Sequence, residues 1–226
     1  FVGITDFNPM DYQDESGKWI GFDADVATAF AKSLGVEVEF VEINWDKKVP
    51  ELNSKTIDCV WNGMTLTDDV KAAMETSKAY CTNSQVVVVS KDKADQYKTV
   101  DDCKDLKFAV EVGSGGKEMA EKNGFSFIEV DKQSKALMEV ANGSSDAAII
   151  DLLMAGAMIG EGTGYEQLTY TVKLNSEEYG VGFRKGSDMA EKLNKFFDDY
   201  KASGDLEKVA EKYGVTREMQ DELAYA

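Results

Sequence analysis

Three stretches of this chain carry residue types that can hold a small charged molecule. The first is Trp61-Asn62-Gly63-Met64-Thr65-Leu66-Thr67-Asp68-Asp69-Val70-Lys71, which follows the strand-like run Ile57-Asp58-Cys59-Val60. Thr67 reads as a helix N-cap with Asp68 and Asp69 in the first turn, where carboxylates suit the helix dipole. A strand end that runs into a helix start presents free backbone N–H groups and hydroxyls to an anion. The second stretch is Gly113-Ser114-Gly115-Gly116-Lys117 after an apolar strand. Its glycines allow close backbone approach, and its amides form a nest at a helix start. It has neither the spacing nor the Lys-Ser/Thr ending of a P-loop. The third is Asp151, a carboxylate at the end of Ala147–Ile150. The last two have a structural alternative: an ordinary tight turn for the glycines, a helix N-cap for Asp151. Together they suit a zwitterion, with its carboxylate on amides and hydroxyls and its ammonium on Asp151. Phe7 and Trp45 could supply apolar walls, or belong to the core.

The elements that must position these residues alternate between strand and helix. Phe1–Ile4 reads as a strand, and the loop from Thr5 through Asp6, Phe7 and Met10 to Tyr12 is rich in side chains able to contact a ligand. A helix from Asp23 carries an apolar stripe at Val26, Ala27, Phe30, Ala31 and Leu34 and ends at Gly35. Val36–Ile43 alternates as a half-exposed strand does. Asp46 caps a short helix. Val86–Val89 is a continuous apolar run suited to a buried strand. Lys91–Lys98 is polar and reads as the exit from one lobe. Strand–helix alternation then restarts, with a short helix over 100–106, strands at 108–112, 125–130 and 147–150, and helices at 117–123 and 134–142. Thr169–Leu174 is extended and Tyr179–Arg184 is a strand. Helices over 188–203 and 206–213 close the chain. Such alternation predicts parallel sheets covered by helices, an α/β protein.

Composition narrows the function. The chain has 226 residues, 43% of them hydrophobic, enough for one large domain or two small ones. A net charge of −17 repels phosphate backbones and anionic lipid, so nucleic acid is not an expected partner. No apolar run reaches the ~18 residues of a membrane span. The chain contains no histidine, which removes the commonest general base and transition-metal ligand. No metal or cofactor is expected. Cys59, Cys81 and Cys103 match no zinc or redox spacing. Cys59 and Cys103 read as buried small hydrophobes, and a Cys59–Cys81 bridge is open.

The run Gly21-Phe22-Asp23-Ala24-Asp25-Val26-Ala27, then Leu34-Gly35-Val36 and Trp45-Asp46 through Pro50, resembles the amino-terminal signature of bacterial extracellular solute-binding proteins for polar amino acids. Ile57–Thr67, Gly113-Ser114, Asp146–Asp151 and Tyr179–Gly186 continue the likeness in order, over nearly the whole chain. The resemblance implies the type II periplasmic-binding-protein fold. That fold has two lobes, each a mostly parallel sheet flanked by helices, joined by two hinge strands. Lobe 1 would be residues 1–88 and 175–226, and lobe 2 residues 89–174. Ligand would be captured in the cleft, with closure by hinge bending. The partners implied are an amino acid or related amine and the permease of an ABC importer. The protein would act as a monomer outside the cytoplasm, in the periplasm or lipid-anchored at the cell surface. A leader removed ahead of Phe1 would fit that location.

By the same resemblance, Asp151 would hold the α-ammonium. Asn62, Gly63 and Thr65, with neighbouring Met64, would give hydrogen bonds from lobe 1. Ser114 and Gly115 would bind the carboxylate, and Phe7 and Trp45 would sandwich the ligand. Three positions depart from the family. Val70 stands where a carboxylate-binding arginine is usual, and the two arginines of the chain, Arg184 and Arg217, are far along it. Lys71 could reach round or face solvent. Met10 replaces an aromatic, and Gly115-Gly116 would widen the lobe 2 turn. Glu111 would border the ligand side chain and favour a cationic group, or else be a solvated strand residue. The leading expectation is a binding protein and not an enzyme. The alternatives are a dehydratase-type enzyme on the same scaffold, using Glu111 or Asp151 as the acid, and a ligand-sensing receptor domain.

Overall fold

The computed structural model describes residues 1–215. The first segment holds β1 (Val2–Ile4), β2 (Tyr12–Gln13), β3 (Trp19–Ile20), α1 (Phe22–Ser33), β4 (Phe40–Glu42), α2 (Lys48–Ser54), β5 (Cys59–Thr65), α3 (Asp68–Ala73), β6 (Glu75–Thr76) and β7 (Cys81–Asn83). Next come β8 (Gln85–Ser90), β9 (Lys107–Glu111), α4 (Gly115–Lys122), β10 (Ser126–Val130), α5 (Gln133–Ala141), β11 (Ala147–Asp151), α6 (Leu152–Met158) and β12 (Leu168–Lys173). The described residues close with β13 (Glu177–Phe183), α7 (Met189–Ala202) and α8 (Asp205–Tyr213).

These elements make two compact units. One contains residues 1–82 and those from 178 onward, the other residues 83–177. Residues 83–88 and 175–177, placed in lobe 1 by the sequence reading, thus fall in the second unit. The reason for the first segment is its pairing: β8 bonds β11 and β12, both in that unit. Both sheets are mixed rather than mostly parallel. In the first, β1 pairs parallel with β4 and β5, while β13 runs antiparallel to β5 and β6. In the second, ordered β10-β9-β11-β8-β12, the pairs flanking β9 are parallel and those flanking β8 antiparallel.

In the first unit, β5 sends alternate side chains to two cores. On one face Trp61 joins Phe30 of α1 and Phe197 of α7, with ring centroids 6.2 and 5.8 Å away. On the other, Val60 and Met64 pack with Ile43, Trp45, Leu52, Ile57, Val70 and Met74. The second unit follows the same logic. Val87, Val89, Phe108, Val110 and Ile149 face α4 through Met119 and Ala120. Val86, Val88, Ala109, Ala148 and Ile150 face α5 through Ala136, Leu137 and Val140. Burial on both faces is why these strands read as unbroken apolar runs.

Several boundaries differ from the sequence expectation. β5 continues through Thr65, because antiparallel pairing with Tyr179 and Gly180 carries it on. The strand expected over 36–43 shrinks to β4, since only Phe40–Glu42 has β1 beside it. Asp46 caps nothing; it sits in a 3-10 turn and pairs with Lys47 at 2.7 Å. The helix expected over 100–106 is a short 3-10 turn, Asp101–Cys103. All three cysteines are buried and free, so the Cys59–Cys81 bridge does not form.

Candidate functional site

Two of the three sequence-derived stretches meet in the second unit. β9 and β11 are parallel neighbours, so Glu111 and Asp151, their last residues, lie at the carboxyl end of one sheet. Ligands of open α/β sheets sit beyond that end. The chain leaves β9 through Gly113, whose φ of 71° suits glycine, and enters α4. Ser114 caps that helix, its Oγ accepting from Lys117 N at 3.2 Å. Gly115 and Gly116 are the first residues of α4, so they belong to the helix and do not widen the turn, contrary to the expectation from sequence. Their amides have no acceptor within the helix. Gly116 has a packing reason: a Cβ there would come within 2.8 Å of the Ile149 carbonyl on β11. Its smallness brings the helix start onto the strand that ends in Asp151. Glu111 is 5% exposed, which removes the reading of it as a solvated strand residue.

Asp151 occupies the N-cap position of α6, yet its side chain caps no backbone amide. It is 4% exposed and engages side chains instead. Oδ1 accepts from Asn83 Nδ2 at 2.5 Å and Gln85 Nε2 at 3.0 Å, and Oδ2 from Gln133 Nε2 at 2.5 Å. Gln133 Oε1 in turn accepts the Asp151 N–H at 3.0 Å. The same Asn83 and Gln85 nitrogens also donate to Glu177 Oε1, each at 2.8 Å. Sequence reading missed Asn83, Gln85, Gln133 and Glu177. The available signal was polar residues adjoining an apolar strand, Asn83 and Gln85 before Val86–Val89 and Glu177 before Tyr179.

The third stretch lies in the first unit. Asn62, 3% exposed, is engaged with Thr5: Nδ2 donates to Oγ1 at 2.7 Å and Oδ1 accepts from N at 2.8 Å. Gly63 has φ 54°, and a Cβ on it would come within 2.4 Å of the Phe7 ring. Its N–H donates to Asp23 Oδ2 at 2.6 Å. Phe7, 3% exposed, sits edge-on to Tyr179 with centroids 6.3 Å apart. Met64 is in the core and Thr65, the last residue of β5, is half-buried. Met10 is fully enclosed, its carbonyl accepting from Asp23 N at 2.9 Å. Asp6 is exposed.

Thr67 does cap α3, accepting from Val70 N at 3.2 Å. The Val70 side chain, 7% exposed, packs in one cluster with Trp45, Met64 and Met74. Trp45 is a member of that core, with Lys48 Nζ 4.6 Å above its ring. An apolar patch thus occupies the position of the usual arginine. Lys71 is exposed. Arg184 is engaged elsewhere, donating to Ile57 O at 2.6 Å and Asp58 Oδ1 at 2.8 Å. Arg217 lies outside the described residues.

The model of the bacterial extracellular solute-binding proteins, family 3, matches residues 2–216, and the chain belongs to that family. As a member, it is a solute-binding protein. The chain is 30% identical to the arginine-binding extracellular protein ArtP of Bacillus subtilis over 92% of its own length and 83% of that protein's. It is 29% identical to the L-cystine-binding protein TcyJ of Escherichia coli, over 92% and 79%. Among solved structures, a mutant of ArgBP from T. maritima superposes with TM-score 0.88 at 33% identity, over 95% of this chain and 94% of that one. An ancestral arginine-binding protein with arginine bound gives 0.86 at 35%, over 94% and 96%. These neighbours share the type II periplasmic-binding-protein fold.

Proposed function

We propose that the chain binds a cationic amino acid, with L-arginine the first candidate, and passes it to the permease of an ABC importer. The observation that carries this is the carboxyl end of the second sheet. There a buried carboxylate, Asp151, shares one strand edge with the capped start of α4. Asp151 takes the α-ammonium, while Ser114 and the Gly115 and Gly116 amides take the α-carboxylate. Val70 withdraws the usual arginine, so the helix start carries the carboxylate without it. Glu111, buried at the end of β9, favours a positive ligand side chain. The arginine-binding relatives support the choice of ligand. The chain works outside the cytoplasm as a monomeric binder and turns over no substrate.

Thermal-shift and calorimetric titration with L-arginine, L-lysine, L-histidine and L-cystine test this reading. L-Arginine should raise the melting temperature, because it binds only the native state. Asp151→Asn should weaken arginine binding roughly 10- to 100-fold, the worth of about 1.5–3 kcal/mol for a charge-assisted hydrogen bond. If no cationic amino acid binds, or if Asp151→Asn binds as wild type does, the reading falls.

A further inference from the structure

Asp151 does not stand alone. Its Oδ1 and Glu177 Oε1 take hydrogen bonds from the same two nitrogens, Asn83 Nδ2 and Gln85 Nε2, at 2.5 to 3.0 Å. The two oxygens are therefore within about 5 Å, the reach of two hydrogen bonds end to end. Each primary amide has two N–H groups, and here one serves each carboxylate. The orientation of both amides is fixed by what lies around them. Asn83 Oδ1 accepts from Leu153 N at 3.3 Å, so its nitrogen must face the carboxylates. Gln85 is the more telling case. Its Oε1 is buried with no hydrogen-bond partner among the described residues. Rotating the amide would move that oxygen, but would set it against two carboxylates. Glu177 is held in turn: Asn175 Nδ2 donates to its Oε2 at 2.9 Å, and Asn175 Oδ1 accepts from Gln85 N at 2.6 Å.

We infer that Glu177 is a positioning residue for ligand recognition: through Asn83 and Gln85 it fixes the Asp151 carboxylate in the geometry that receives an ammonium group. This rests on the reading of Asp151 as the ammonium acceptor. A residue at position 177 need only accept two hydrogen bonds to do this work. Glutamine can, through its carbonyl oxygen, whereas alanine removes the acceptor that holds one N–H of each amide.

The experiment measures L-arginine affinity by calorimetry for wild type, Glu177→Gln, Glu177→Ala, Asp151→Asn and the Asp151→Asn/Glu177→Ala double variant. Glu177→Gln should stay within about threefold of wild type and Glu177→Ala should lose tenfold or more. The double variant should bind within twofold of Asp151→Asn, since Glu177 acts through Asp151 and the losses do not add. Should Glu177→Ala not fold, Glu177→Met supplies volume without an acceptor and carries the same expectation. Asp151→Asn weakening arginine while Glu177→Ala binds as wild type would overturn the positioning role alone. Equal losses in the Gln and Ala variants, or additive losses in the double variant, would overturn it too. An unchanged Asp151→Asn, or no binding by wild type, would overturn the reading of Asp151 and this inference with it.

Discussion

Asp11 and Asp23 place two carboxyls in the interior of the first unit, both with no exposed surface. Asp23 accepts from Gly63 N and, at 2.7 Å, from Tyr80 Oη, but neither oxygen of Asp11 has a hydrogen-bond partner among the described residues. Burial pushes Asp23 up to about 7, against the lowering effect of those two donors. Burial, and then the charge of Asp23, pushes Asp11 well above the usual carboxylate range. Tyr80, Cys81 and Cys59 are the other titratable groups nearby, and burial raises all three, leaving them neutral. The sign follows from linkage. Both carboxyls hold protons in the folded chain at pH values where an unfolded aspartate, near 3.9, has lost them. The folded state binds more protons, so this contribution favours folding at acid pH and is lost as pH rises through about 7. Asp11→Asn should therefore melt higher than wild type at pH 8 and lose that advantage only below about pH 4, where the unfolded aspartate is protonated too, followed by scanning calorimetry. An equal advantage at both ends of that range would show that the pair holds no proton. None of this was legible in the sequence. Asp23 has the position of an ordinary first-turn acid, and periodicity does not report that a carboxylate points inward.

At the scale of elements, more could be read in advance. The strands of the second unit announced themselves because burial on both faces leaves no polar residue inside Val86–Val89 or Ala147–Ile150. The start of α4 was legible as a glycine-rich turn, but not the reason for its glycines. Gly116 is small because α4 abuts the Ile149 carbonyl, a contact between elements far apart in sequence. Gly116→Ala should displace the helix start, cost about 1–3 kcal/mol of stability as overpacking does, and weaken arginine binding in step. Chemical denaturation and calorimetry of the same sample check both; lost stability with unchanged affinity would detach the helix start from the ligand. β5 was underestimated because its last residues, Trp61–Thr65, mix polar and apolar types, and its length is set by a strand more than a hundred residues later. Val70 was legible as a departure, but not its setting. The Trp45 cluster around it is assembled from four segments that only the fold brings together.

For the whole molecule, charge is the dominant long-range term. The chain carries −17 on 226 residues, and many of its ion pairs are local lysine–carboxylate contacts on exposed helices. Such pairs contribute little, whereas self-repulsion works against the compact state. Raising NaCl from 10 to 300 mM should thus raise the melting temperature at pH 7.5, as the Debye length shortens from about 30 Å to below 8 Å. A fall would mean that the pairs outweigh the repulsion. The order of the units along the chain has a consequence for biosynthesis. β13 bonds β5 and β6 in the first sheet, yet the second unit, residues 83–177, precedes all but its first residue. A ribosome adding ~5–20 residues per second needs roughly 5–20 s to make that unit. Throughout that interval β5 has an open edge, and an open edge is a template for pairing with other chains. The enclosed unit is complete first and the enclosing one last, so a chaperone that covers unpaired strands has its longest opportunity at β5.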